Sequence, residues 1–352
     1  MSLDEMRIED RAREMLDHRA RGIAHPPQSE GACFEDIETA YLIQHACDRI
    51  LREEQAYKHI GYKIAAPNAG ARQTLGVAEP FFGRIYDKVA SRSPAEVPSG
   101  TGFFHVYEPE IALQIGTDLD PGQAPFDAAA IEANTRAVLP AIEIIGTYFS
   151  PWNGVGGANL ITDNAALGHW VFGAPVDDWS GIDLMEGAAS ITINGEERAR
   201  GKGANVDGGV FGATAWLANA LARRGLTLNA GDYVTTGSVT APQPANPGDH
   251  VIADFEALGR VEVRVAAGRR VRCRIRPRVR SIPLSGDVDV REDPGRVERS
   301  HGRSIAKLAR GGRDPHRVCG AARPLRQGRR LPVTGRDREA PRGPHRALRA
   351  RR

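Results

Sequence analysis

The chain has 352 residues, 41% of them apolar and 26% charged, long enough to bury a sizeable core. Its net charge of +3 joins two unlike parts: residues 1–266 carry 21 Lys and Arg against 36 Asp and Glu, and residues 267–352 carry 26 against 8. No run of about 18 apolar residues is present, which excludes a membrane-spanning helix, and all 21 Phe, Trp and Tyr precede residue 267.

The charged N-terminus (MSLDEMRIEDRAREMLDHRA) lacks the apolar stretch of a signal peptide, and the expected location is the cytoplasm. Residues 3–20 and 34–55 read as helices. In the second, Ile37, Ala40, Tyr41, Gln44, Cys47, Ile50 and Leu51 recur at helical spacing. HIGYKIA (59–65) reads as a strand ended by the turn cluster Pro67-Asn68-Ala69-Gly70. In 108–116, Ile111, Leu113 and Ile115 alternate with Glu108, Glu110, Ala112 and Gln114, the pattern of a strand with two unlike faces. A helix is expected over 126–137, followed by the almost wholly apolar strand VLPAIEIIG (138–146). SPWNGVGGANLIT reads as a loop. Its glycines are no dinucleotide fingerprint, because no helix is expected after them. Asn194-Gly195 marks a hairpin, residues 210–224 a helix stopped by Gly225, and RVEVRV the last strand.

The reading is an α+β fold: an N-terminal helical segment (1–58), a largely β catalytic core that binds metal (59–266), and an Arg-rich disordered tail (267–352). With 25 arginines and no aromatic residue, the tail cannot offset the entropy of ordering. It reads as a frameshift product of a GC-rich gene, with a basic arm that binds nucleic acid as the alternative; nucleic acid is not an expected partner of the core. Cys33, Cys47, Cys273 and Cys319 form no CxxC pair and read as reduced thiols.

Glu108 and Glu110, at i and i+2 of a strand, point to one face with Cα atoms about 7 Å apart. Such a pair suits two ligands of one hard cation, and equally a solvated sheet face. Glu143 shifts the balance towards metal: inside Ala141-Ile142-Glu143-Ile144-Ile145 a carboxylate needs a proton, a basic partner or a metal. Oxygen donors without neighbouring Cys or His favour Mg²⁺ or Mn²⁺ over zinc.

Eight segments in order, AYLIQ (40–44), GYKI (61–64), LGVAEPFFG (75–83), EPEIAL (108–113), VLPAIEIIG (138–146), TDNAALG (162–168), AWLANAL (215–221) and GDYVTTGS (231–238), carry a resemblance. The chain resembles the 2-keto-4-pentenoate hydratase and 4-oxalocrotonate decarboxylase group of the fumarylacetoacetate hydrolase superfamily. The resemblance implies the β core of that superfamily, a divalent metal held by Glu108, Glu110 and Glu143, and an acid/base or substrate-anchoring role for Lys63. It further implies a catalytic role for Asp163, substrate-facing or supporting, with loop capping as the plain alternative, a substrate-binding role for Asn164, and a substrate-carboxylate contact for Ser238. Some members carry paired aspartates where this chain has Asp87-Lys88, so Asp87 is a catalytic candidate whose partner is replaced by a cation. The implied reaction is hydration of a 2-hydroxy-2,4-dienoate, with decarboxylation of 4-oxalocrotonate as the rival. The implied partners are a small 2-oxo acid, further copies of the chain, and a related decarboxylase or hydratase.

Overall fold

A computed structural model describes residues 3–25, 36–150, 152 and 154–267. The expectations for the tail from residue 268 onward, and for Cys33, Cys273 and Cys319, lie outside the described residues. Cys47 is a buried free thiol. Among the described residues no helix is long and apolar enough to cross a membrane.

Helices α1 (Leu3–Arg21) and α2 (Ile37–Gln55) come first. Helix α2 begins where the Asp36 carboxylate accepts from the N–H groups of Glu38 and Thr39, three residues later than its apolar spacing suggested. There follow β1 (His59–Ala65), α3 (Ala69–Leu75), β2 (Phe81–Tyr86), the short β3 (Ala90–Arg92) and β4 (Ala95–Val97), and the long β5 (Phe104–Ile115). Helix α4 (Ala128–Ala133) is half its expected length. Asp127 caps its start, and from Thr135 the chain pairs with β5 instead, making β6 (Thr135–Thr147). The glycine-rich loop does lead into a helix after all, the single short turn α5 (Gly157–Thr162). Next are β7 (Leu167–Phe172), then β8 (Ala188–Ile193) and β9 (Glu196–Lys202), joined at Asn194-Gly195 with both residues at positive φ as the hairpin requires. Helix α6 (Gly209–Ala222), β10 (Tyr233–Ser238), β11 (His250–Asp254) and β12 (Arg260–Val265) complete the order.

The strands form two sheets, β2-β1-β10-β5-β6-β7-β3 and β4-β12-β11-β8-β9. Residues facing each other across a ladder share a face, and alternate residues change face. One face of the larger sheet, with Ile111, Leu113, Val138 and Ile142, joins a core that includes Ile191, Val251 and Val263 of the smaller sheet and Leu217 of α6. The other face carries Ala112, Leu139, Ala141 and Trp170. Both faces of β5 are therefore covered. A wet side at Glu110 and Ala112, one of the two readings of the alternation, does not occur: each is fully buried.

Candidate active site

On that second face the apolar rows give way to charge. Glu108 of β5 stands directly opposite Glu143 of β6, and Glu110 stands two residues along from Glu108. Carboxylate oxygens of the three residues all lie within 4.8 Å of one another. From β1, Lys63 brings its Nζ to 2.8 Å from Glu143 Oε1. Between them runs β10, where a bulge sets the residues from Thr235 to Ser238 against only Ala112 to Glu110. Thr235, in register with Ala112, donates its hydroxyl to Glu110 Oε2, and the bulge that follows brings the Gly237 N–H onto the same oxygen. Glycine is needed there, since Gly237 has φ +108° and a Cβ would lie 2.3 Å from Pro67 Cγ.

Lys63, Glu110 and Glu143 are buried and Glu108 is half-buried. Burial, with Glu143 nearby, pushes the Glu108 carboxyl up to about 8, against the pull of Lys63. The Glu110 carboxyl is raised well above the carboxylate range by burial and by both neighbouring glutamates. Burial also raises Glu143, opposed by Lys63. For Lys63 burial acts downward, but the three carboxylates outweigh it and hold the ammonium above its ordinary value. Three carboxyls thus share one cation, and Glu110 Oε1 and Glu143 Oε2 accept no hydrogen bond. Buried acceptors left without donors fit a bound cation, and an all-oxygen donor set fits a hard one such as Mg²⁺ or Mn²⁺.

The cluster opens into a cavity of about 780 Å³ that continues along the same face past Val106 and Phe104 of β5 and Ile145 and Thr147 of β6. Among the described residues, Lys63 and Glu108 are the only ionisable groups lining it.

With this geometry in hand, the comparison with known proteins has a clear outcome: the profile of the fumarylacetoacetate (FAA) hydrolase C-terminal family matches residues 11–266. The chain belongs to that family. It is 29% identical over 226 residues to 2-keto-4-pentenoate hydratase of Paraburkholderia xenovorans, covering 64% of this chain and 82% of the relative. It is 31% identical over 226 residues to 2-hydroxyhexa-2,4-dienoate hydratase of Comamonas testosteroni, covering 63% and 84%. The fold is that of 4-oxalocrotonate decarboxylase from Pseudomonas putida G7, solved in complex with magnesium and adipate, with TM-score 0.69 and 23% identity over 75% of this chain and 99% of that one.

Of the residues suggested for this FAA hydrolase family member, the structure gathers Lys63, Glu108, Glu110 and Glu143 into one cluster and puts Ser238 on the cavity wall beside Gly237. The Ser238 hydroxyl donates to Thr240 O. Three others are not brought there. Asp87 is exposed and accepts the Lys58 N–H. Asn164 makes a reciprocal amide pair with the backbone of Arg84 on β2. Asp163 is buried with both oxygens engaged: Arg19 Nε at 3.0 Å and His25 Nε2 at 3.3 Å on one, the Thr147 hydroxyl and Tyr148 N–H on the other. Burial acts upward on that carboxyl, but Arg19 and His25 outweigh it and hold it below its usual range.

What Asp163 and Asn164 secure is the backbone after them. Asn164, Ala165 and Ala166 all have positive φ, 54°, 52° and 61°, a costly run for residues with a Cβ. Ala165 and Ala166 line the cavity. Gly83 admits the loop, since a Cβ there would lie 2.3 Å from Asn164 O. The family segments AYLIQ and EPFFG acquire a reason too: Gln44 Nε2 donates to Phe82 O and Ile161 O, and the Tyr41 hydroxyl accepts the Phe82 N–H, tying α2 to β2 and α5. Sequence reading missed Thr235 as a support for Glu110. It lies inside GDYVTTGS and faces the Glu110 side by ordinary register with Ala112, but nothing in the sequence pairs that strand with the one carrying Glu110.

Proposed function

We propose that the chain is a divalent-metal-dependent hydratase that adds water to 2-hydroxy-2,4-dienoates, giving 4-hydroxy-2-oxo acids in the breakdown of aromatic compounds. The observation that carries this reading is the convergence of Glu108, Glu110, Glu143 and Lys63 from three strands at the head of one cavity. The names of the hydratase relatives support it.

Glu108, Glu110 and Glu143 are the residues to hold the metal. When bound, a divalent cation supplies Lewis-acid polarisation of a 2-oxo acid's carboxylate and 2-oxo oxygens. Thr235 and Gly237 fix Glu110, so that one oxygen stays oriented while the other is free to ligate. Lys63 is the cavity-lining ionisable group outside the carboxylate set. Its ammonium stabilises negative charge developing on the substrate oxygen and holds the proton to be moved. A proton moved to the far end of the dienolate leaves an enone, to which water adds. The covered sheet face keeps bulk water from Glu110 and Glu143, which strengthens their interactions. Asp163 and Asn164 act by position, holding the strained cavity wall at Ala165 and Ala166. Assembly with further copies, or with a related decarboxylase, belongs to the same proposal.

Decarboxylation of 4-oxalocrotonate is the rival, because it runs through the same dienolate. Incubation with Mg²⁺ and each of 2-hydroxypenta-2,4-dienoate and 4-oxalocrotonate, with products separated, decides between them. A hydrated five-carbon acid supports the proposal, and carbon dioxide release from 4-oxalocrotonate alone overturns it.

A further inference from the structure

The cavity that opens from the carboxylate cluster is lined largely by apolar side chains. Beyond Lys63 and Glu108 its walls are Leu75, Phe81, Phe104, Ile145, Trp152 and Leu160, with Phe104 and Trp152 stacked at 4.2 Å between ring centroids. A volume of about 780 Å³ lies in the range that encloses a ligand of drug size. A five-carbon acid anchored at the carboxylates leaves most of it unfilled.

The hydroxyl donors in the lining are committed to protein oxygens. Thr147 donates to Asp163, Ser238 to Thr240 O, Thr240 to Ala241 O, and Thr74 to Gly70 O. The amides of Asn68 and Asn205 each give one N–H to a backbone carbonyl, and the second N–H of each is a neutral donor that does not balance a carboxylate's charge. Arg72, next in sequence to the lining residue Ala71, is ion-paired with Asp207 at 2.8 Å. A second carboxylate on the substrate therefore meets, among the described residues, no cation other than Lys63, which already faces Glu143. Desolvating an anion without a partner is costly, whereas an apolar tail gains from burial.

We propose that this cavity selects 2-hydroxydienoates bearing an apolar alkyl or aryl tail and discriminates against those with a second carboxylate. The inference rests on the hydratase reading for the head group and on the wall residues for the tail. It places the enzyme after a reaction that releases a substituted monocarboxylic dienoate rather than a dicarboxylic one.

The test is calorimetric titration of the Mg²⁺-loaded full chain with three unreactive saturated acids: 2-oxopentanoate, 6-phenyl-2-oxohexanoate and 2-oxohexanedioate. At roughly fourfold per buried methylene, the phenyl acid is expected to bind at least about tenfold tighter than 2-oxopentanoate, and the dicarboxylate at least about tenfold weaker. Phe104→Ala is expected to shrink the first ratio. Leu75→Arg, at a half-buried position on the wall, is expected to reverse the second. A dicarboxylate that binds as tightly as 2-oxopentanoate, or a phenyl tail that adds no affinity, overturns the selectivity. Turnover of 2-hydroxypenta-2,4-dienoate, followed in parallel, reports on the hydratase reading alone: its absence with the affinity order intact rejects the reaction and leaves the selectivity standing.

Discussion

Lys63 and Glu143 stand on strands three steps apart in the seven-stranded sheet, yet their Nζ and Oε1 atoms are 2.8 Å apart. The two side chains reach towards each other over the intervening β10 and β5, and Thr235 and Glu110 of those strands complete the cluster below them. Lys63→Met removes the ammonium but no carboxylate. It is expected to leave Mg²⁺ or Mn²⁺ affinity intact and to lower kcat by about 10²-fold to 10⁴-fold. Steady-state kinetics beside a metal titration check both halves, and full activity would make Lys63 a structural counterion.

Glu108→Gln, Glu110→Gln and Glu143→Gln each remove one anionic donor and keep the side-chain shape. Each is expected to lose at least about tenfold in metal affinity. Glu110→Gln should in addition raise the Tm of the metal-free protein by a few degrees, because it relieves a buried carboxyl crowded by two others. Calorimetry and thermal melts with and without metal give the two readings.

In the metal-free protein Glu108, raised to about 8, holds its proton near neutral pH, and Glu110 is shifted in the same direction by burial and its two glutamate neighbours. Metal must displace that proton, so apparent affinity is expected to rise with pH through about 8, where Glu108 is half ionised, with net proton release on binding. Titrations in two buffers of different ionisation enthalpy measure that release. An affinity independent of pH between 6 and 8 would contradict it.

Asp163 is buried, and its folded carboxyl lies below the ordinary value of 3.8, so its contribution to stability is present above that pH and is lost as pH falls through the depressed value. Asp163→Asn keeps one of the two acceptor oxygens, sets an NH2 against the donors of the other and removes the charge that pairs with Arg19, at an expected cost of about 3 kcal/mol. Urea denaturation at pH 7 and pH 3 checks the size and the sign: the gap between wild type and variant narrows at the lower pH.

Asp87→Asn alters an exposed side chain outside the cavity and is expected to keep kcat/KM within about twofold. A loss of tenfold or more would return Asp87 to the reaction.

The carboxylate cluster was legible because its signals are local: a period-two pair at Glu108 and Glu110, and a carboxylate inside an apolar run at Glu143. Asp163 was not, since its partners Arg19 and His25 lie 144 and 138 positions away and only the fold brings them together. Helix α4 was overdrawn for a related reason, because Thr135, Arg136 and Ala137 suit either state and pairing with β5 decides. Thr235 reaches Glu110 only because β10 pairs with β5, a contact 125 positions apart in the chain.

Anomalous diffraction from crystals soaked in Mn²⁺ tests the central claim most directly. One strong peak bound by carboxylate oxygens of Glu108, Glu110 and Glu143, beside the Lys63 ammonium, is the expected result. A peak elsewhere, or none at saturating Mn²⁺ with the three glutamates intact, would contradict it.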